Sequence, residues 1–310
     1  MPRTRLPWIG MRGAPATLPP PHTWRPLLRL AIEEDLGAGD ATTPLVVEPG
    51  RRGEARIEAR QALVVCGLPV AEAVFREIDP GLELHDLRRE GQHAAAGDVL
   101  ARVAGDLRAL LAAERTALNF LGRLCGVATH TRRFVDAVAD TGARIVDTRK
   151  TLPGWRLLDK YATAIGGAVN HRVGLFDGIL LKDNHVALCG GVAEAVKAAR
   201  AAAPAGLRLQ VEVESEADAV AAVEAGADFL LLDNRSPDEL ERIVRRVGAR
   251  ALIEASGGVS LENVRRVAAS GVQRISIGAL THSAPVADVA LEIEPDAGPG
   301  RGSRVGGAAR

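Results

Sequence analysis

From Ala143 onward the apolar residues fall into short runs separated by stretches of helical periodicity. The runs are 144–147, 178–182, 208–214, 228–233, 251–254 and 273–278. Between the later ones, apolar positions repeat at helical spacing over 192–203, 216–225, 237–247 and 260–270. Strands alternating with amphipathic helices predict βαβ units and a parallel sheet. Six strands fall short of the eight of a complete barrel. The expectation is an α/β fold, an open (incomplete) TIM-like α/β barrel, with a doubly wound sheet as second choice.

The first third reads differently. Leu27, Leu28, Ala31, Ile32 and Leu36 share a face of a helix over 23–38, with Thr23 as its candidate cap and Gly37 and Gly39 as its stop. Strand-like segments follow at 53–59, 62–66, 82–89 and 98–103. A helix over 69–78 ends at Asp79-Pro80-Gly81, a strong breaker. This is an α+β pattern of domain size. Residues 107–139 carry a leucine stripe and read as helix, with a break expected near Gly122 to Gly126. The segment before residue 23 holds prolines and scattered arginines but no apolar core of a secretory signal, and reads as a flexible leader. The Gly- and Pro-rich segment 295–310 reads as a disordered tail.

Composition narrows the function. The 39 basic residues equal the 39 acidic ones, which disfavours nucleic-acid binding. No apolar run reaches the roughly 18 residues of a membrane-spanning helix. Cys66, Cys125 and Cys189 are scattered and lack CxxC spacing, which fits a reducing, cytoplasmic setting and argues against zinc.

Against that neutral background, residues 147–185 concentrate Arg149, Lys150, Arg156, Lys160, Arg172 and Lys182, with His171 and His185. Cations gathered beside apolar strands point to an anionic ligand. In a barrel, functional groups sit at the C-terminal ends of the strands. Here those ends carry Thr148-Arg149-Lys150, Lys182-Asp183-Asn184-His185, Glu212 with Glu214, Asp233-Asn234, Glu254 and Gly278-Ala279. Ser256-Gly257-Gly258 precedes a helix expected to open at Ser260. With Gly278-Ala279 it forms a candidate phosphate cradle of backbone N–H groups. Glu212 and Asp233 would repel an anion. They suit Mg²⁺ carried by a phosphate, or a cationic transition state of glycosyl transfer. Arg156 and Lys160 read as surface charges on a helix, and His185 as a residue that fixes the loop after Lys182.

These segments resemble the quinolinate phosphoribosyltransferase family. The similarity rests on Glu34-Asp-Leu-Gly37 through Asp40-Ala-Thr42-Thr43, Glu114-Arg115-Thr-Ala-Leu-Asn119 and Thr148-Arg149-Lys150-Thr-Leu-Pro153-Gly154. It continues through Lys160-Tyr161-Ala162, Asn170-His171-Arg172, Lys182-Asp183-Asn184-His185, Val211-Glu212-Val213-Glu214 and Leu232-Asp233-Asn234. It spans residues 23 to 292 in order. One departure is Ala168, where the family usually has a third glycine before Asn170, a feature also met in a related molybdenum-transport-associated group.

The resemblance implies transfer of a phosphoribosyl group from phosphoribosyl pyrophosphate (PRPP) to quinolinate, giving nicotinate mononucleotide, CO₂ and pyrophosphate with Mg²⁺. It implies an N-terminal α+β sandwich domain over 23–125, joined by segment 284–294, and a barrel over 126–283. It also implies a homodimer with shared active sites. By the same resemblance, Arg149, Arg172 and His171 hold the quinolinate carboxylates, with Thr148, Lys150 and Lys182 in the same pocket. Arg115 reaches in from the partner. Glu212 and Asp233 serve the ribose, the metal or the developing ribosyl cation, with Lys150 the third catalytic candidate. Ser256, Gly257, Gly258, Gly278 and Ala279 take the 5′-phosphate. Rival readings are the molybdenum-associated paralogue, a Schiff-base aldolase using Lys182 or Lys150, and a non-catalytic anion-binding barrel.

Overall fold

The computed structural model describes residues 16–204 and 206–295. Twelve strands follow one another along them: β1 (Arg52–Ala59), β2 (Leu63–Val64), β3 (Glu83–His85), β4 (His93–Ala94), β5 (Val99–Asp106) and β6 (Arg144–Val146). Then come β7 (Ile179–Leu181), β8 (Leu209–Val213), β9 (Phe229–Asp233), β10 (Leu252–Ser256), β11 (Arg274–Ser276) and β12 (Val289–Pro295). The chain divides into two compact units. One comprises the described residues up to 27 together with 123–287, the other residues 28–122 and the described residues from 288.

The second unit is built on an antiparallel sheet in the order β12-β1-β5-β3. Along β1 the side chains alternate, with Gly53, Ala55, Ile57 and Ala59 buried and their neighbours less so. That is the period of a strand with one face on a core. Leu28, Leu82, Leu100 and Phe75, from the helix Leu68–Ile78, fill that core.

The first unit holds a six-stranded parallel sheet in the order β6-β11-β10-β9-β8-β7. Strands β7 to β11 lie side by side in chain order, and β6 pairs with the last of them. A doubly wound sheet reverses direction at a switch point; this one does not. It is a singly wound barrel, open between β6 and β7. Only an isolated bridge, Val146 to Val169, borders the gap. Leu209, Val211, Leu230, Leu232, Ile253, Ala255 and Ile275 meet Val196, Ala219, Ala222, Leu240, Ile243 and Val267 of the flanking helices in one apolar cluster.

Three local expectations change. The helix Leu107–Ala137 is continuous, without a break at Gly122 to Gly126. Gly126 serves packing: a Cβ there would lie 2.0 Å from the Pro285 carbonyl oxygen. The helix expected to open at Ser260 begins at Val264, because Asn263 Oδ1 takes the Ser260 N–H and closes a turn first. Thr23 lies in a 3₁₀ turn, Pro21–Thr23, where its hydroxyl donates to Pro20 O instead of capping the helix Arg25–Leu36. Residues 1–15 of the expected leader and 296–310 of the expected tail lie outside the described residues. Among the described residues no helix is long and apolar enough to cross a membrane.

Candidate active site

The C-terminal ends of the barrel strands surround a cavity of about 420 Å³. Its wall contains Thr148, Arg149 and Lys150 after β6, His171 and Arg172 in the connection to β7, and Lys182 after β7. Glu212 on β8 and Asp233 on β9 continue it. Ser256, Gly257 and Gly258 end β10, and Gly278 and Ala279 follow β11. The structure thus brings together thirteen of the fourteen residues singled out from the sequence. The exception is Arg115, which stands 63% exposed on the helix Leu107–Ala137, 4.0 Å from Glu114.

The cationic side is held by a buried network. Asp147, the residue after β6, is fully buried and accepts from Lys160 Nζ at 2.7 Å. Its carboxylate also accepts the His171 N–H at 2.6 Å, Asn170 Nδ2 at 2.8 Å and Thr163 Oγ1 at 3.2 Å. Lys160 Nζ further donates to His171 O at 2.9 Å. Burial pushes the Asp147 carboxyl up and the Lys160 ammonium down, and their mutual attraction opposes both shifts. Lys160 is therefore not the surface charge expected from the sequence. Arg156 is partly buried too, its guanidinium donating to Thr151 Oγ1 at 3.2 Å and to Val173 O at 3.3 Å.

A second buried pair secures the Lys150 corner. Arg123 makes three hydrogen bonds to Asp159, at 3.0–3.1 Å, and donates to Thr281 O at 2.6 Å. Thr281 Oγ1 in turn donates to Lys150 O at 2.8 Å. Gly278 gives the Lys150 stem its space, since a Cβ there would sit 2.9 Å from Lys150 Cδ.

The cations crowd one another. Burial and the neighbouring Arg149 hold the Arg172 guanidinium below its ordinary pKa, with Asp177 opposing. Arg149 Nε is buried with no hydrogen-bond partner among the described residues. Arg172 keeps one guanidinium nitrogen on Gly178 O at 3.0 Å. Like charges held together with an unused donor form a site that an anion completes.

The opposite side is acidic. Burial first, then the neighbouring Asp233 carboxylate, raises Glu212 above the ordinary glutamate range, while Lys182 pulls it down. Two close carboxylates suit a cation or a developing positive charge. No cluster of three or more candidate metal ligands occurs among the described residues.

The glycine turns need their glycines. Gly257 has φ +86°, and a Cβ on it would lie 2.2 Å from Asn234 Oδ1. Asn234, itself left-handed at φ +53°, donates its N–H to Ser256 O at 2.8 Å. The two βα turns thus interlock. Ala279–His282 is a four-residue helix with Gly278 at its N-cap.

The chain that carries these glycine turns, the carboxylate pair and the cations on one barrel rim has relatives among known proteins. Residues 127–292 match the family model for the quinolinate phosphoribosyl transferase C-terminal domain, and residues 40–125 that for its N-terminal domain. The chain belongs to the quinolinate phosphoribosyltransferase family. It is 40% identical over 285 residues to a probable carboxylating nicotinate-nucleotide pyrophosphorylase of Synechocystis sp., covering 90% of this chain and 96% of that protein. Identity to the Mycobacterium leprae carboxylating nicotinate-nucleotide pyrophosphorylase is 43% over 275 residues, covering 87% and 96%. The crystal structure of NadC from Streptococcus pyogenes superposes with a TM-score of 0.87 at 36% identity, covering 90% of this chain and 99% of that one.

The departure from the quinolinate phosphoribosyltransferase pattern at Ala168 is accommodated. Ala168 is buried in the barrel core, its N–H donates to Thr163 O at 3.0 Å, and its φ is not positive. Gly166 is less replaceable, because a Cβ there would lie 2.6 Å from Ala128 O. His185 does fix the loop after β7, its Nδ1 accepting the Lys182 N–H at 3.0 Å. Sequence reasoning took Lys160 for a surface charge, gave Asp147, Asn170 and Gln210 no role of their own, and gave Glu254 none beyond its place at a strand end. The charge of Asp147 beside the Thr148-Arg149-Lys150 run was visible, but its burial was not.

Proposed function

We propose that the protein acts as a quinolinate phosphoribosyltransferase in NAD biosynthesis, converting quinolinate and PRPP to nicotinate mononucleotide, CO₂ and pyrophosphate. The carrying observation is the single cavity in which Arg149, Lys150, Arg172 and Lys182 face Glu212, Asp233 and the glycine turns.

In this reading Arg149 and Arg172 grip the two quinolinate carboxylates by paired N–H donors, with Thr148, Lys150, His171 and Lys182 around them. Ser256, Gly257, Gly258, Gly278 and Ala279 receive the 5′-phosphate through backbone N–H groups. The pyridine nitrogen attacks C1 of the ribose as the bond from C1 to the pyrophosphate oxygen breaks. Glu212 and Asp233 face the positive charge that develops on the ribosyl carbon. Lys150 and Lys182 meet the leaving negative charge. The ring nitrogen is then cationic. When the bond from C2 to its carboxylate breaks, the electron pair stays at C2 beside that nitrogen, CO₂ departs, and a proton adds to C2. Glu212 and Asp233 would also hold Mg²⁺ that enters with PRPP, where the ion neutralises pyrophosphate charge.

The reading includes a homodimer in which the partner's copy of Arg115 completes the carboxylate pocket. This follows the resemblance and gives a role to an exposed arginine whose ion pair among the described residues is the long one to Glu114. It also includes a cytoplasmic location, in keeping with three cysteines that form no disulfide among the described residues.

The test is incubation of the pure protein with quinolinate, PRPP and Mg²⁺, following CO₂ and nicotinate mononucleotide together. Stoichiometric release of both is expected. Quinolinate binding without CO₂ would mean a non-catalytic anion-binding barrel. Borohydride trapping of a lysine with a carbonyl substrate would mean an aldolase. Either overturns the proposal.

A further inference from the structure

Behind His171, in the wall of the active-site cavity, lies a buried side chain that none of the chemistry above uses, Gln210. His171 Nδ1 accepts the N–H of Arg172 at 2.7 Å. A ring nitrogen that accepts carries no hydrogen, so the proton of the neutral ring sits on Nε2. Nε2 lies 3.0 Å from Gln210 Oε1 and 3.5 Å from Glu254 Oε1. Glu254 is balanced on its other side by Arg274, 2.9 Å away. Both nitrogens of His171 are thus engaged by the protein.

The amide of Gln210 has one orientation that satisfies this ring. With its oxygen toward His171 it accepts Nε2–H. Reversed, it would present N–H to N–H. The chosen orientation leaves Gln210 Nε2 buried without a partner among the described residues, and the Gln210 side chain lines a second cavity of about 220 Å³. An unmade buried hydrogen bond is costly. The side chain tolerates it because the ring dictates which end turns inward.

We propose that Gln210 is a positioning residue for substrate binding: its carbonyl oxygen locks His171 as the neutral Nε2–H tautomer, and through the His171 ring fixes the backbone of Arg172. The Arg172 guanidinium, anchored on Gly178 O, is thereby aimed at the cavity. A glutamine suits the position because it accepts without adding charge. Glutamate would place a second carboxylate beside Glu254, draw a proton onto His171 Nδ1 and drive that nitrogen against the Arg172 N–H. The charged groups acting on the ring are Glu254 on β10, Arg274 on β11 and Asp147 at the end of β6. Burial outweighs the two carboxylates and, with Arg274, holds the imidazole below its ordinary pKa.

This inference rests on the proposed function only for its kinetic arm. The first arm is ¹⁵N-histidine NMR of the substrate-free protein, with the resonance identified by its loss in His171→Asn. Wild type should show the Nε2–H tautomer from pH 7 to pH 8, above the ordinary imidazole value of 6.5 from which burial lowers it. Gln210→Met, which fills the space without an acceptor, should show mixed tautomers. Gln210→Glu should show a ring that titrates within that range. In the kinetic arm, Gln210→Met should raise KM for quinolinate about tenfold, with KM for PRPP and kcat within about twofold. An unchanged His171 spectrum in Gln210→Met overturns the proposal, as does an equal rise in both KM values. A locked His171 in a protein that releases no CO₂ would sink the proposed function and leave this inference standing.

Discussion

Lys160 Nζ sits 2.7 Å from Asp147 Oδ1, with both side chains buried below the cationic side of the cavity. The pair is not itself part of the cavity wall. Its work is to turn the chain at Asn170 and His171, because the same carboxylate holds both.

Removing one partner of this pair leaves an uncompensated buried charge. Lys160→Met should destabilise the protein by about 3–5 kcal/mol in urea unfolding. Asp147→Asn with Lys160→Met should cost clearly less than the two single changes added. Additive costs would show that the pair does not couple.

Arg149 predicts a trade of stability against binding. Its Nε has no hydrogen-bond partner among the described residues and its charge presses on Arg172. Arg149→Ala should weaken quinolinate by about 2–4 kcal/mol in isothermal titration, while the melting temperature of the free protein holds or rises. Arg149→Lys should not restore affinity, since an ammonium lacks the planar pair of donors. An unchanged Kd in the alanine variant would remove Arg149 from the pocket.

Asp177 gives the pH dependence. Burial works to raise its carboxyl, yet N–H bonds from Val173 at 2.7 Å and Gly174 at 2.8 Å hold it below the ordinary aspartate value of 3.8. A lowered folded pKa means stabilisation that is present above pH 3.8 and is lost as pH falls through the folded value. Asp177→Ala should therefore cost about 1–2 kcal/mol near neutrality, and the difference from wild type should shrink below pH 3.8. A difference that grows as the solution is acidified contradicts this account.

The shared active site is testable by mixing. Arg115→Ala and Lys150→Ala proteins should each be nearly inactive. After joint refolding, random pairing gives hybrids with one intact site each and roughly a quarter of wild-type activity. Inactive mixtures would place Arg115 outside the reaction.

The barrel was legible because its strands are buried on both faces. Runs such as Phe229-Leu-Leu-Leu232 stand out from the polar helices around them. The polar residues that end those runs stood out for the same reason, and the cavity gathers them. What escaped lies where local sequence does not report its surroundings. Lys160 has the ordinary appearance of a helix charge, and only Asp147, brought in from another element, makes it a buried ion. Gly126 looks like a helix breaker until the Pro285 carbonyl is seen against it. Gln210 occupies one position of an apolar strand, and its meaning comes from His171, across the open seam.

The register of the barrel has a consequence for synthesis. Arg144 of β6 pairs with Arg274 of β11, so a strand made early waits for the last strand of its sheet. Until that strand leaves the ribosome, the corner bearing Thr148, Arg149 and Lys150 lacks both its paired strand and the Thr281 hydroxyl that holds Lys150 O. A nascent chain thus carries no working half-site, and a premature stop before β11 should abolish ligand capture outright instead of merely weakening it.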